Sequence, residues 1–170
     1  MRKLRIATVA VASFCIVAMA ATSAFALNAP GNDGTVKIDK IAFDTHPNNE
    51  PHVGCVFQVD FYNFGNGGLT GVASFSLQSP TLSPGASQLL EVDSTTLADI
   101  SNPGADTDGY QGDITVDLSS ALAASGATAH PIQGFHVKLT VEVKDNVGND
   151  SFNKYKVFWV QGCEAPPPPL

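Results

Sequence analysis

From Phe135 to Val143 the chain reads FHVKLTVEV: Phe135, Val137, Leu139, Val141 and Val143 alternate without a break with His136, Lys138, Thr140 and Glu142. A period of two sends successive side chains to opposite faces of a pleated strand, so this stretch has one apolar and one wet face. That is the pattern of an antiparallel sheet covered on one side only. Six further segments carry the same signal: Thr35 to Phe43, Cys55 to Phe64, Val72 to Gln78, Gln88 to Asp93, Tyr110 to Leu118 and Phe152 to Gln161. Turn residues separate them, and the 15 glycines and 11 prolines of the chain supply that punctuation.

Seven short strands with almost no helix predict an all-β fold, an immunoglobulin-like antiparallel two-sheet sandwich. Cys55, Phe57, Val59 and Phe61 are expected inward, with Gln58, Asp60, Tyr62 and Phe64 outward; Ala73, Phe75 and Leu77, and Ile114, Val116 and Leu118, are also assigned to the core. In the first segment Val36 and Ile38 fall on one parity and Ile41 and Phe43 on the other, which predicts a bulge. In the last, Tyr155, Val157 and Trp159 share the parity of Cys163 and are read as inward, leaving Phe158 outward. One short helical turn is expected over Ser119 to Ser125.

The chain has 170 residues and a formal charge of −7. Residues 1–26 read as a signal peptide: Arg2, Lys3 and Arg5 precede an apolar run, and Ala24 and Ala26 form a small-residue cleavage site. Residues 27–34 then form a linker, 35–163 the sandwich and 164–170 a proline-rich tail suited to an extended spacer. The leader removes three cations and no acid, taking the charge to −10 and leaving six lysines that look scattered. Nucleic acid and stable membrane insertion are therefore not expected as partners. The exported chain keeps two cysteines, Cys55 and Cys163, for which a disulfide is the default outside the cytoplasm.

With these strands placed, Gly34 to Asp39 (GTVKID), Asn49 to Gly65 (NEPHVGCVFQVDFYNFG), Gly134 to Val143 (GFHVKLTVEV) and Tyr155 to Cys163 (YKVFWVQGC) resemble uncharacterised secreted or wall-associated β-sandwich proteins of high-GC Gram-positive bacteria. The resemblance implies surface display through a proline-rich stalk and a wall anchor. This chain instead stops at Pro166 to Leu170, and free secretion is expected.

If strand directions alternate, both cysteines lie at one pole of the sandwich together with His46, His52, His130 and His136, a candidate zinc or copper set since both metals accept neutral imidazole. The other pole collects Asp106, Asp108, Asp145 and Asp150 with many asparagines and glycines, a candidate calcium site built from hard oxygen ligands. No spacing matches a zinc finger or an EF-hand, and turns select the same residues. No nucleophile elbow or paired glutamates point to catalysis. The expectation is a secreted, non-enzymatic binding or structural module of the extracellular space or cell envelope, free of cofactors and engaging an envelope or extracellular protein or a glycan. A metal-binding extracellular protein and an extracellular hydrolase are the alternatives.

Overall fold

The computed structural model describes residues 34–44, 48–65, 67–99, 109–145, 147 and 150–163. Eight strands and one helix follow in the order β1 Thr35–Lys40, β2 His52–Val53, β3 Val56–Tyr62, β4 Thr70–Gln78, β5 Ser87–Thr96, β6 Tyr110–Asp117, α1 Ser119–Ser125, β7 Phe135–Lys144 and β8 Asp150–Val160. They form a three-stranded sheet, β1-β3-β6, stacked on a five-stranded sheet, β2-β8-β7-β4-β5. All long pairs are antiparallel; the two-residue β2 pairs with the end of β8 in parallel, the one departure from the expected pattern. Apart from β2, the strands correspond to the seven segments read above, divided between the sheets as in an immunoglobulin-like sandwich. Among the described residues no helix is long and apolar enough to cross a membrane.

The core lies where the two apolar faces meet. Phe57 on β3 presents its ring edge-on to Phe75 of β4 at 5.6 Å and to Phe158 of β8 at 5.2 Å, tying the sheets together. Val137, Leu139, Val141 and Val143 are fully buried, as their alternation requires. Each such side chain is worth about 2 kcal/mol on leaving water. Leu118 and Leu122 seat α1 on the sheet edge, and Gly126 in the left-handed conformation ends that helix.

The structure corrects several assignments. The expected bulge in the first strand is absent: β1 stops at Lys40, and Ile41 and Phe43 are exposed beyond it. The phase of β8 is the reverse of the expectation. Its pairing with β7 sets Phe158 opposite Val137 and Phe152 opposite Val143, and cross-strand partners share a face, so Phe158 and Val160 are buried while Tyr155 and Val157 face solvent. Phe64 is also buried, because Asn63 adopts a positive φ of 58° and turns the chain after β3. Asp60 and Tyr62, expected outward, do lie on the outer face of their sheet, yet both are buried there.

The disulfide between Cys55 and Cys163 is present, with Cα atoms 5.3 Å apart and a sequence separation of 108. It joins the residue preceding β3 to the chain leaving β8, one from each sheet. Beside it, Gly134 has a φ of +81°, and a Cβ there would stand 2.0 Å from the Val160 carbonyl oxygen, so no other residue fits without moving β8.

Candidate binding surface

Strand pairing brings three of the four histidines together around one indole. His52 on β2 and His136 on β7 flank Trp159 on β8 from either side, and the His136 and His130 rings lie 4.6 and 6.1 Å from it. His46 lies outside the described residues. The hydrogen bonds assign the ring protons. His136 Nδ1 lies 2.6 Å from the Ser79 carbonyl oxygen, an acceptor, and must donate to it, so the lone pair of the neutral ring is on Nε2. His130 Nδ1 accepts from the Ile132 and Gln133 amides at 3.2 and 3.1 Å, so its neutral ring carries the proton on Nε2. Its one lone pair is thus spent on a local turn. Among the described residues, no three His, Cys, Asp or Glu side chains are grouped to hold a metal ion.

At the other pole, Asp106 and Asp108 lie outside the described residues. Asp145 accepts a hydrogen bond from the Val147 amide at 3.0 Å, an Asx turn. Asp150 opens β8 opposite Lys144. Two side chains organise this end: Asp99 accepts from the Gly67 amide at 2.8 Å, and the buried Gln111 accepts from the Phe64 amide at 2.6 Å while donating to the Gly65 and Ala98 carbonyls at 2.6 and 2.9 Å. The role of Gln111 had no sequence signal, since glutamine at a strand entrance is ordinarily exposed.

The outer face of the three-stranded sheet is acidic, with Asp60 and Tyr62 buried on its central strand. Asp113 accepts from the Tyr110 hydroxyl and from Gln58 Nε2, the latter at 2.7 Å, while Asp60 stands directly opposite it. Asp60 is only 2% exposed, and its buried Oδ2 has no hydrogen-bond partner among the described residues. Burial first, then the negative Asp39, Asp113 and Asp44, push its carboxyl up to about 7, against the opposing pull of Lys37. Burial likewise raises Asp39, partly offset by a hydrogen bond from the Asp44 amide. Burial and the bond to Asp113 hold the Tyr110 hydroxyl protonated well above the usual phenol range.

The outer face of the five-stranded sheet is open and different in kind. Its register sets two parallel rows across four strands: Val92, Ser74, Thr140 and Tyr155, and beside it Leu89, Ser76, Lys138 and Val157. Apolar side chains stand at the two margins, with small hydroxyls and one ammonium in the trough between. Tyr155 is 72% exposed, Leu89 61%, Val92 52% and Val157 49%. Lys138 Nζ stands 5.6 Å from the Tyr155 ring centre, and the next row continues the surface with His136 and Trp159. The bulge in β5 opposite Phe75 and Ser76 presents Leu89 on this face. Of the aromatics, Tyr155 is exposed and Trp159 half-buried on this face, whereas Tyr62, Phe64 and Phe158, expected outward, are buried. No protein-family model matches the chain, and no curated protein sequence is similar to it.

Proposed function

We propose that the chain is a secreted, non-enzymatic binding module of the extracellular space or cell envelope, engaging a protein or glycan through the outer face of the five-stranded sheet. The observation that carries this reading is the pair of rows ending in Leu89, Val92, Tyr155 and Val157, all about half exposed or more on one continuous face. Apolar side chains exposed at both margins of one face cost solubility unless a partner covers them, and an exposed Tyr is a residue type enriched in binding hot spots. The disulfide and the stacked sheets supply a rigid support that loses little entropy on association.

The test is capture of envelope and extracellular components by the exported protein and by a face variant, Tyr155→Ala with Leu89→Ser. The reading expects components retained by the parent and lost from the variant while the melting temperature is unchanged. Equal retention by both proteins would refute the assignment of the face.

A further inference from the structure

In a chain whose acids outnumber its cations, the lysines are distributed unevenly. Lys40 and Lys144 are paired with Glu50 and Glu142 at 2.6 and 3.3 Å. The other four lysines after the leader, Lys37, Lys138, Lys154 and Lys156, form no ion pair among the described residues: Lys154 and Lys156 line one cleft, Lys138 stands over the Tyr155 ring at its margin, and Lys37 lies close enough to act on Lys156. There β1 and β8 face each other as sheet edges: β2 pairs only with Trp159 and Val160, so among the described residues β8 has no strand beside it from Phe152 to Phe158. A cleft of about 470 Å³ opens between them, walled by Thr35 on one side and by Asn153, Lys154, Tyr155 and Lys156 on the other.

Lys154 and Lys156 occupy the inward parity of β8, opposite Val141 and Leu139. At a sheet margin a lysine there lays its methylenes along the core and carries its ammonium out to the opening. Lys37 on β1 holds its ammonium over the Tyr62 ring at 5.2 Å, on the outer face of its own sheet and across the strand pair from Asp60. Lys156 feels the crowding: burial first, then the nearby Lys37, lower its ammonium below the usual range, with no carboxylate acting in the other direction. Holding Lys154 and Lys156 in one cleft with no ion pair is unfavourable in isolation and becomes favourable when an anion occupies the space between them.

We infer that the cleft between β1 and β8 is an anion site that receives the acidic group of a saccharide, with the sugar ring lying against Tyr155. The ammonium groups of Lys154 and Lys156 hold the acid, Lys138 adds charge beyond the Tyr155 ring, and the Asn153 amide and backbone N–H groups of the β8 edge supply neutral donors. The 72% exposed ring of Tyr155 is what selects a saccharide over a bare inorganic anion, because it offers an apolar face to the ring C–H groups beside the charge. The inference rests on the proposed binding face and names the chemistry at its Tyr155 margin.

Calorimetric titration of the exported protein with an oligogalacturonate, a heparin-derived oligosaccharide, a neutral oligogalactose and inorganic sulfate tests it. Binding of one or both acidic oligosaccharides is expected, weakening steeply with salt, with neutral sugar and sulfate bound at least ten-fold more weakly. The carboxylate and sulfate arms identify which acid the cleft prefers. Lys154→Gln with Lys156→Gln should cost at least ten-fold in affinity, and Lys138→Gln, on the solvent side, several-fold at an unchanged melting temperature. Binding of neither acidic oligosaccharide, binding of sulfate as tight as that of the saccharides, or indifference to Lys138→Gln would overturn it. Leu89→Ser lies three strand spacings away, about 14 Å, and should leave acid binding intact while weakening partner capture. A parent protein that binds neither acidic oligosaccharide yet still captures a partner would therefore sink this inference and spare the face.

Discussion

Replacing Asp60 by Asn isolates the energetic cost of a carboxyl that the fold buries beside three others. The folded carboxyl titrates at about 7, against 3.8 for an ordinary aspartate. Because the folded value is raised, the stability contributed by the protonated form is fully present below pH 3.8 and is lost as pH rises towards 7. Over that window the folded chain holds a proton that the unfolded chain has released. About three pH units at about 1.4 kcal/mol each set a ceiling of about 4 kcal/mol. Water reaching the outer sheet face reduces this, and a difference of about 2 to 3 kcal/mol is expected. Asn has the shape of the protonated acid, can donate to Asp113, and cannot ionise. Wild type and Asp60→Asn should therefore be nearly equal at pH 4 and diverge progressively, with the variant the more stable by roughly 6–15 °C in melting temperature at pH 8. Urea unfolding of both proteins from pH 4 to 8.5 under oxidising conditions measures the gap, and taking the difference cancels groups of opposite sign such as Asp117, which a hydrogen bond from Ser119 lowers. Parallel curves, or a variant less stable at pH 8, would refute the account.

Reducing the Cys55–Cys163 bond releases a 108-residue constraint and should cost about 4 to 5 kcal/mol on chain entropy, read from urea midpoints with and without reductant; a loss under 1 kcal/mol would contradict it. Gly134→Ala forces a Cβ against the Val160 carbonyl at a positive φ, and a destabilisation of about 3 kcal/mol or more is expected by the same assay. Gln111→Ala strands the Phe64 amide and the Gly65 and Ala98 carbonyls; about 3 kcal/mol should be lost, with hydrogen exchange at Phe64 accelerating first.

The parts of this fold that were legible in the sequence are those where one parity is apolar and the other is not. Phe135 to Val143 leaves a single solution, and the alternation of strand directions then carries Cys55 and Cys163 to the same pole, where they are bonded. The last strand was misread for a physical reason: Tyr155, Val157 and Trp159 on one parity outweigh Phe152, Lys154, Lys156, Phe158 and Val160 if lysines are counted as outward. Only the register with β7 decides between them. A lysine at a sheet margin satisfies both environments at once, which a pattern of apolar and polar letters does not express. The burial of Asp60 and Tyr62 on an outer face was equally hidden, since it depends on which side chains neighbouring strands set beside them. The lysines look scattered along the chain because the four without an ion pair among the described residues come from β1, β7 and β8, which belong to two different sheets.

The covalent link between Cys55 and Cys163 also decides how the protein responds to being pulled. Tension applied between residue 34 and the chain beyond Cys163 passes through the sulfurs and bypasses the 108-residue loop they close. Only the stretch from residue 34 to Cys55 can pay out, roughly 70 Å, where the unlinked domain would lengthen by several hundred. β1 and β2 form the mechanical fuse, whereas the sheet face carrying Tyr155 and Leu89 stays within the protected loop and keeps its shape under load.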